Sequence, residues 1–191
     1  MVPTRQQALA LFKQYNQSES LYKHALSVEA VMRHFANKYN EDEEKWGIIG
    51  LMHDVDYEQF PEEHCIKAKE ILEKEQWPED YIRAILSHAY DICTDVEPVH
   101  LMEKILYATD ELTGLVTTAA LVRPDKSIHS LKLKSMKKRW KDKRFAAKVD
   151  RSIITDGAQR LNMDLDELIL ETIEGMKTVA KELGLNGVSN E

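Results

Sequence analysis

The chain is short of nearly everything that marks a secreted, membrane-spanning or disulfide-bonded protein. Its 191 residues include only two cysteines, Cys65 and Cys93. Two cysteines make no disulfide framework, and no Cys-x-x-Cys pair is present, so reduced thiols in a cytoplasmic protein are expected. No apolar run approaches the roughly 20 residues that cross a bilayer, so no membrane partner is expected. The opening stretch MVPTRQQALALFKQYNQ has no long apolar segment, and no secretory signal is read there. Glycine and proline are scarce (7 and 5), strand-like alternation is essentially absent, and no repeat or low-complexity tract is visible. Helices are what remains.

What is there fits that reading. The composition, 43% hydrophobic and 31% charged, is that of a globular protein with a sizeable core. A net charge of −7 favours solubility and argues against nucleic-acid binding. Hydrophobic spacing and breakers predict one all-α domain over residues 1–191. Helices are expected from Thr4 to Tyr15, from Ser18 or Ser20 through Phe35, and from Glu41 to His53. Others follow from Glu62 to Glu75, from Pro78 to Tyr90, and from Pro98 through about residue 121. After the break RPDKS, helices are expected at about 130–140, 145–161 and 164–183, ending at Gly184 with a frayed tail, NGVSNE.

Six polar residues fall on the apolar faces of these helices. His24 lies three after Leu21 and four before Val28. His53 lies four after Ile49 and seven after Trp46, with Asp54 next to it at the helix end. His64 precedes Ala68 by four, His88 follows Ile85 by three, and Asp110 follows Leu106 by four. One inward histidine is most often a hydrogen-bonded core residue, and one helical aspartate is usually solvated or capping. Six together, on separate helices, are a different matter. Unpaired buried carboxylates cost several kcal/mol, and a shared divalent cation removes that cost using neutral imidazole and carboxylate. His34, His100 and His129 fail the same test and are expected at the surface.

The order His24, His53-Asp54, Asp110 resembles the HD superfamily of metal-dependent phosphohydrolases over roughly residues 18–120. The pair sits in IIGLMHDVD and the distal aspartate in EKILYATDELTGL. The resemblance implies an HD-type helical bundle, with 18–120 as the metal-binding core and 123–185 as a C-terminal helical extension. It also implies that His24, His53, Asp54 and Asp110 bind one metal, with His53 and Asp54 central to catalysis. His64 and His88, in EEHCIKAKEIL and AILSHAYD, are similar to the binuclear branch that includes bacterial diadenosine tetraphosphate hydrolases. There, two more histidines hold a second metal and the aspartate of the pair bridges. Two divalent ions are therefore expected, with Mn, Fe, Co or Zn favoured over Mg by the histidine-rich set. No Gly-Tyr-Pro triplet follows the pair, unlike the cyclic-di-GMP phosphodiesterases. No Glu-Asp pair stands after it, unlike the guanosine tetraphosphate hydrolases.

The expected activity is hydrolysis of a nucleotide or other small phosphate ester by a metal-activated water. Two alternatives stay open: an HD-type di-iron oxygenase, and a non-catalytic nucleotide-binding module. Asp56, Glu58, Glu62 and Glu63 either orient ligands or form a solvated acidic loop. The run KLKSMKKRWKDKR holds eight basic residues and one acidic, leaving 18 basic and 32 acidic elsewhere. It reads as a solvated helix face, or as a flap whose Lys137, Lys138 and Arg139, with Arg123, attract a phosphate. Substrate identity and oligomeric state have no signature in the sequence.

Overall fold

The computed structural model describes residues 2–187. Among them the chain forms nine α-helices and no strand. They are α1 (Arg5–Tyr15), α2 (Glu19–Tyr39), α3 (Glu43–Met52), α4 (Ile66–Lys74), α5 (Glu79–Leu86), α6 (Leu101–Leu121), α7 (Leu133–Lys141), α8 (Arg151–Leu161) and α9 (Leu165–Lys177). Local chemistry explains most starts. Thr4 and Gln7 form a reciprocal capping box at α1, and Ser18, Asp42, Asp150 and Asp164 cap α2, α3, α8 and α9 through their side chains. Asn40 and Asn162 end α2 and α8 in the left-handed conformation that asparagine tolerates.

The two 21-residue helices α2 and α6 form the centre. α2 packs on α3, α6 and α9, and α6 packs on α8 and α9. Small residues set two of these approaches. A Cβ on Gly50 of α3 would lie 3.0 Å from the Val28 carbonyl of α2, and one on Gly157 of α8 would lie 2.5 Å from Ala108 Cα of α6. Fully buried Phe12, Met32, Phe35, Ile49, Leu72, Ile105 and Leu112 fill the space between the layers. Among the described residues, no helix is long and apolar enough to cross a membrane.

Several expected helices are shorter than their periodicity predicts. The segment expected to run from Glu62 to Glu75 opens with a 3-10 turn (Pro61–Glu63), then breaks at His64 and Cys65, the latter with φ +69°, before α4 begins. The segment from Pro78 tightens into a 3-10 turn (Ser87–Ala89) after α5. α8 starts at Arg151 rather than 145, because residues 143–149 turn and Ala146 takes φ +46°. α9 stops at Lys177, and turns carry the chain to Gly184. The tail is not frayed where it is described: Leu185 is buried and accepts from the Ile128 amide, and Asn186 bridges Ser127. Residues 188–191 of that expectation lie outside the described range.

Candidate metal centre

Five secondary elements deliver the six residues to one point. His24 comes from the second turn of α2, and the close approach at Gly50 brings the end of α3, with His53 and Asp54, against it. His64 follows the 3-10 turn at Pro61–Glu63, His88 sits in the 3-10 turn at Ser87–Ala89, and Asp110 lies midway along α6. All six are buried or nearly so; the most exposed side chain, His24, is 26% accessible.

The donor atoms form two groups. In the first, His24 Nε2 lies 3.1 Å from His53 Nε2 and 2.9 Å from Asp110 Oδ1, and His53 Nε2 lies 3.3 Å from the same Oδ1. In the second, His64 Nε2 and His88 Nε2 are 3.1 Å apart. Asp54 stands between them. Its Oδ2 is 3.3 Å from His53 Nε2 and 3.7 Å from His24 Nε2, while its Oδ1 is 3.4 Å from His64 Nε2 and 3.6 Å from His88 Nε2. With a metal–ligand distance of about 2.1 Å, neighbouring ligands sit about 3.0–3.4 Å apart, so the spacings within each donor group are ones that could hold a cation, with Asp54 slightly farther from His24 and His88.

Hydrogen bonding at the far side of each ring sharpens the fit. His53 Nδ1 donates to the Gly50 carbonyl at 2.8 Å, and His88 Nδ1 to the Ile85 carbonyl at 2.6 Å. His64 Nδ1 donates to Asp56 Oδ1 at 2.7 Å. Thr113 Oγ1 gives its proton to the Asp110 carbonyl, so it accepts from His24 Nδ1 at 3.3 Å. With every Nδ1 carrying a proton, each neutral ring presents its Nε2 lone pair to the centre. Lone pairs facing each other at 3.1 Å repel unless positive charge lies between them. The residues fit a divalent metal.

The electrostatics point the same way. Burial pushes the His53 pKa down, but the Asp54 and Asp110 carboxylates outweigh it and raise it well above the usual histidine value. His64 is raised against its burial by Asp56 and Asp54. Burial alone would raise Asp54 and Asp110, yet His53, with His24 and, for Asp54, His88, holds both below the ordinary carboxylate range. The centre is built to hold positive charge.

A cavity of about 260 Å³ opens onto the donors, lined also by Tyr57, Ala89, Ile92, Glu111, Gly114 and Ile153. Burial, and then Asp110, push the Glu111 carboxyl up to about 7, and its Oε2 accepts from the Asp150 amide that opens α8. The Cys65 and Cys93 sulfurs lie 3.6 Å apart as free thiols beside the second donor group. Burial raises the pKa of both.

Of the acids around the HD pair, only Asp56 orients a donor. It is fully buried, and its second oxygen accepts from the Ala68 amide at 2.8 Å, which fixes the first turn of α4. Glu58 accepts from the Gln17 and Ser18 amides, whereas Glu62 and Glu63 are exposed. The basic candidates do not line the cavity. Arg123 pairs with Asp125 and Lys137 with Asp166, Arg139 lies over the Phe145 ring, and Lys138 is exposed. His34, expected at the surface, is half-buried and bonded to Glu171 at 2.6 Å. His100 and His129 are exposed as expected, and His100 caps α6 with Glu103. Sequence reasoning missed Thr113, Glu111, Tyr57, Ile92 and Ile153. Only Thr113, one turn beyond Asp110 on the same helix face, carried a signal.

Residues 21–115 match the family model of the HD domain, a stretch that runs from α2 through α6 and contains all six donors. That part of the chain is an HD domain of the HD superfamily. No curated protein and no solved structure is matched by the chain.

Proposed function

We propose that the protein is a metal-dependent phosphohydrolase of the binuclear HD kind, acting on a nucleotide or other small phosphate ester. The observation that carries this reading is Asp54, whose two oxygens face different histidine pairs. His24, His53 and Asp110 would hold one ion, His64 and His88 the other, with Asp54 between them. When bound, such ions supply Lewis acidity to a water nucleophile and to the phosphoryl oxygens. The chain's own residues do the rest. The carbonyls of Gly50 and Ile85, the Asp56 carboxylate and Thr113 keep the four imidazoles in the tautomer that presents Nε2. Asp54 and Asp110 supply the negative charge that offsets the cations. Ala89 and Ile153 line the cavity that opens onto the donors and would help exclude bulk water around the phosphoryl group.

Metal-reconstituted protein should bind about two ions per chain and release phosphate from a phosphate ester. His88→Ala should lose one ion and most turnover while remaining folded. A stoichiometry near one in both proteins would make the centre mononuclear. Oxygen consumption by iron-loaded protein, with no phosphate release, would move the assignment to the oxygenase.

A further inference from the structure

The rim of the metal cavity carries chemistry that the donor set does not explain. Tyr57 and Ile92 are 44% and 61% accessible, and among the exposed large apolar side chains described these two line this cavity. Single exposed apolar residues need no explanation. These two come from different segments, the turn after α3 and the loop after Ser87–Ala89, and meet at one mouth with Ile153 from the first turn of α8. The Tyr57 ring stands nearly perpendicular to the His64 ring, centroids 5.2 Å apart, beside the second donor group.

The charge around this apolar rim has one sign. No lysine or arginine lines the cavity, and Met1 and residues 188–191, outside the described range, include none. The one further carboxyl among the lining residues is that of Glu111. Cations at the donor groups would attract one phosphoryl group, but an anionic tail beyond it would meet a carboxyl and apolar surface, with no basic side chain to pair with. At about 260 Å³ the space lies below the usual range for drug-sized ligands, so the organic group it takes is small.

We infer, building on the phosphohydrolase reading, that this cavity selects phosphate esters whose organic group is small, flat and uncharged, with Tyr57 and Ile92 as the residues that contact it. Substrates carrying a second anionic group next to the phosphate are disfavoured.

Calorimetry on the metal-reconstituted full chain tests this without requiring turnover. The probes are phenylphosphonate, methylphosphonate and 3-phosphonopropionate, which share the metal-binding group and differ in the tail. Phenylphosphonate should bind about 10-fold more tightly than either of the others, the gain expected from burying most of one ring face. Tyr57→Ala and Ile92→Ser should each erase most of that advantage and leave methylphosphonate binding and metal content unchanged, while Tyr57→Phe should keep it. Failure of phenylphosphonate to bind, equal or tighter binding of 3-phosphonopropionate, or an unchanged preference in both Tyr57→Ala and Ile92→Ser would overturn the inference. Phenyl phosphate turnover is followed alongside. A chain with the binding preference but no hydrolysis under any metal would disprove the hydrolase reading alone, and hydrolysis without the preference would disprove this inference alone.

Discussion

Asp54 Oδ2 lies 3.3 Å from His53 Nε2, on one side of the centre, while Asp54 Oδ1 lies 3.4 Å from His64 Nε2, on the other. A single side chain thus ties both donor groups together, and its removal should affect both. Asp54→Ala is expected to lose most bound metal and all measurable turnover, read by elemental analysis and phosphate release. If the side chain only helped to end α3, the substitution would cost about 1 kcal/mol of stability and leave activity intact.

Asp56 tests the support beneath His64. Its carboxylate holds both the His64 ring and the Ala68 amide. Asp56→Asn keeps an oxygen for one of these partners but loses the charge that favours the Nδ1–H tautomer. Affinity for one of the two ions should fall about 10–100-fold, the usual effect of losing such a partner, with the other retained. Titration of chelator-treated protein with a divalent metal measures this. Identical isotherms for variant and wild type would mean that Asp56 serves only α4.

The metal-free protein should lose stability as pH rises through the neutral range. His53 and His64 have raised folded-state pKa values, so their contribution is full below about pH 6.5 and is lost as pH climbs through those higher values. Glu111, lifted from 4.5 to about 7, acts in the same direction. Asp54 and Asp110 are depressed, so their contribution is present above their usual value of 3.8 and is lost only in acid, as pH falls through their lower folded values. Chelator-treated protein should therefore melt at a lower temperature at about pH 8.5 than at about pH 5.5. Added divalent metal should reverse the difference, because deprotonated ligands bind it more tightly. A melting temperature independent of pH in the metal-free state would contradict these shifts.

Gly157 tests how firmly α8 forms the cavity wall. A methyl group there would lie 2.5 Å from both Cα and Cβ of Ala108, and the backbone of α6 has little room to yield. Gly157→Ala should cost about 1–3 kcal/mol by overpacking, despite the better helix propensity of alanine. Because Ile153 lies on the same helix, affinity for an aryl phosphonate should fall as well. Denaturant unfolding and calorimetry read the two effects. Unfolding at wild-type denaturant concentration would show that the helices part at no cost.

The sequence by itself determined the helical class and the inward positions of His24, His53 and Asp110, whereas His64 and His88 sit in or beside 3-10 turns where the helical spacing expected for them does not hold. The reason is periodicity: at 3.6 residues per turn, His24 must share a stripe with Leu21 and Val28, and Asp110 must share one with Leu106. The HD pair and its partners were legible because polar residues on apolar stripes need a common explanation. Tertiary structure alone decided which oxygen of Asp54 faces which histidine pair, because that depends on how closely α3 approaches α2 at Gly50. It also decided the tautomers. Backbone carbonyls at Gly50 and Ile85 accept from His53 and His88, and a carbonyl looks the same at every position of a sequence. The basic run showed the limit most plainly. Its charge was visible, but its ion pair from Lys137 to Asp166 and its distance from the cavity lining depended on packing between segments far apart in the chain. Ile153, from the segment beyond that run, became part of the cavity because glycine at position 157 lets α8 lie flush against α6.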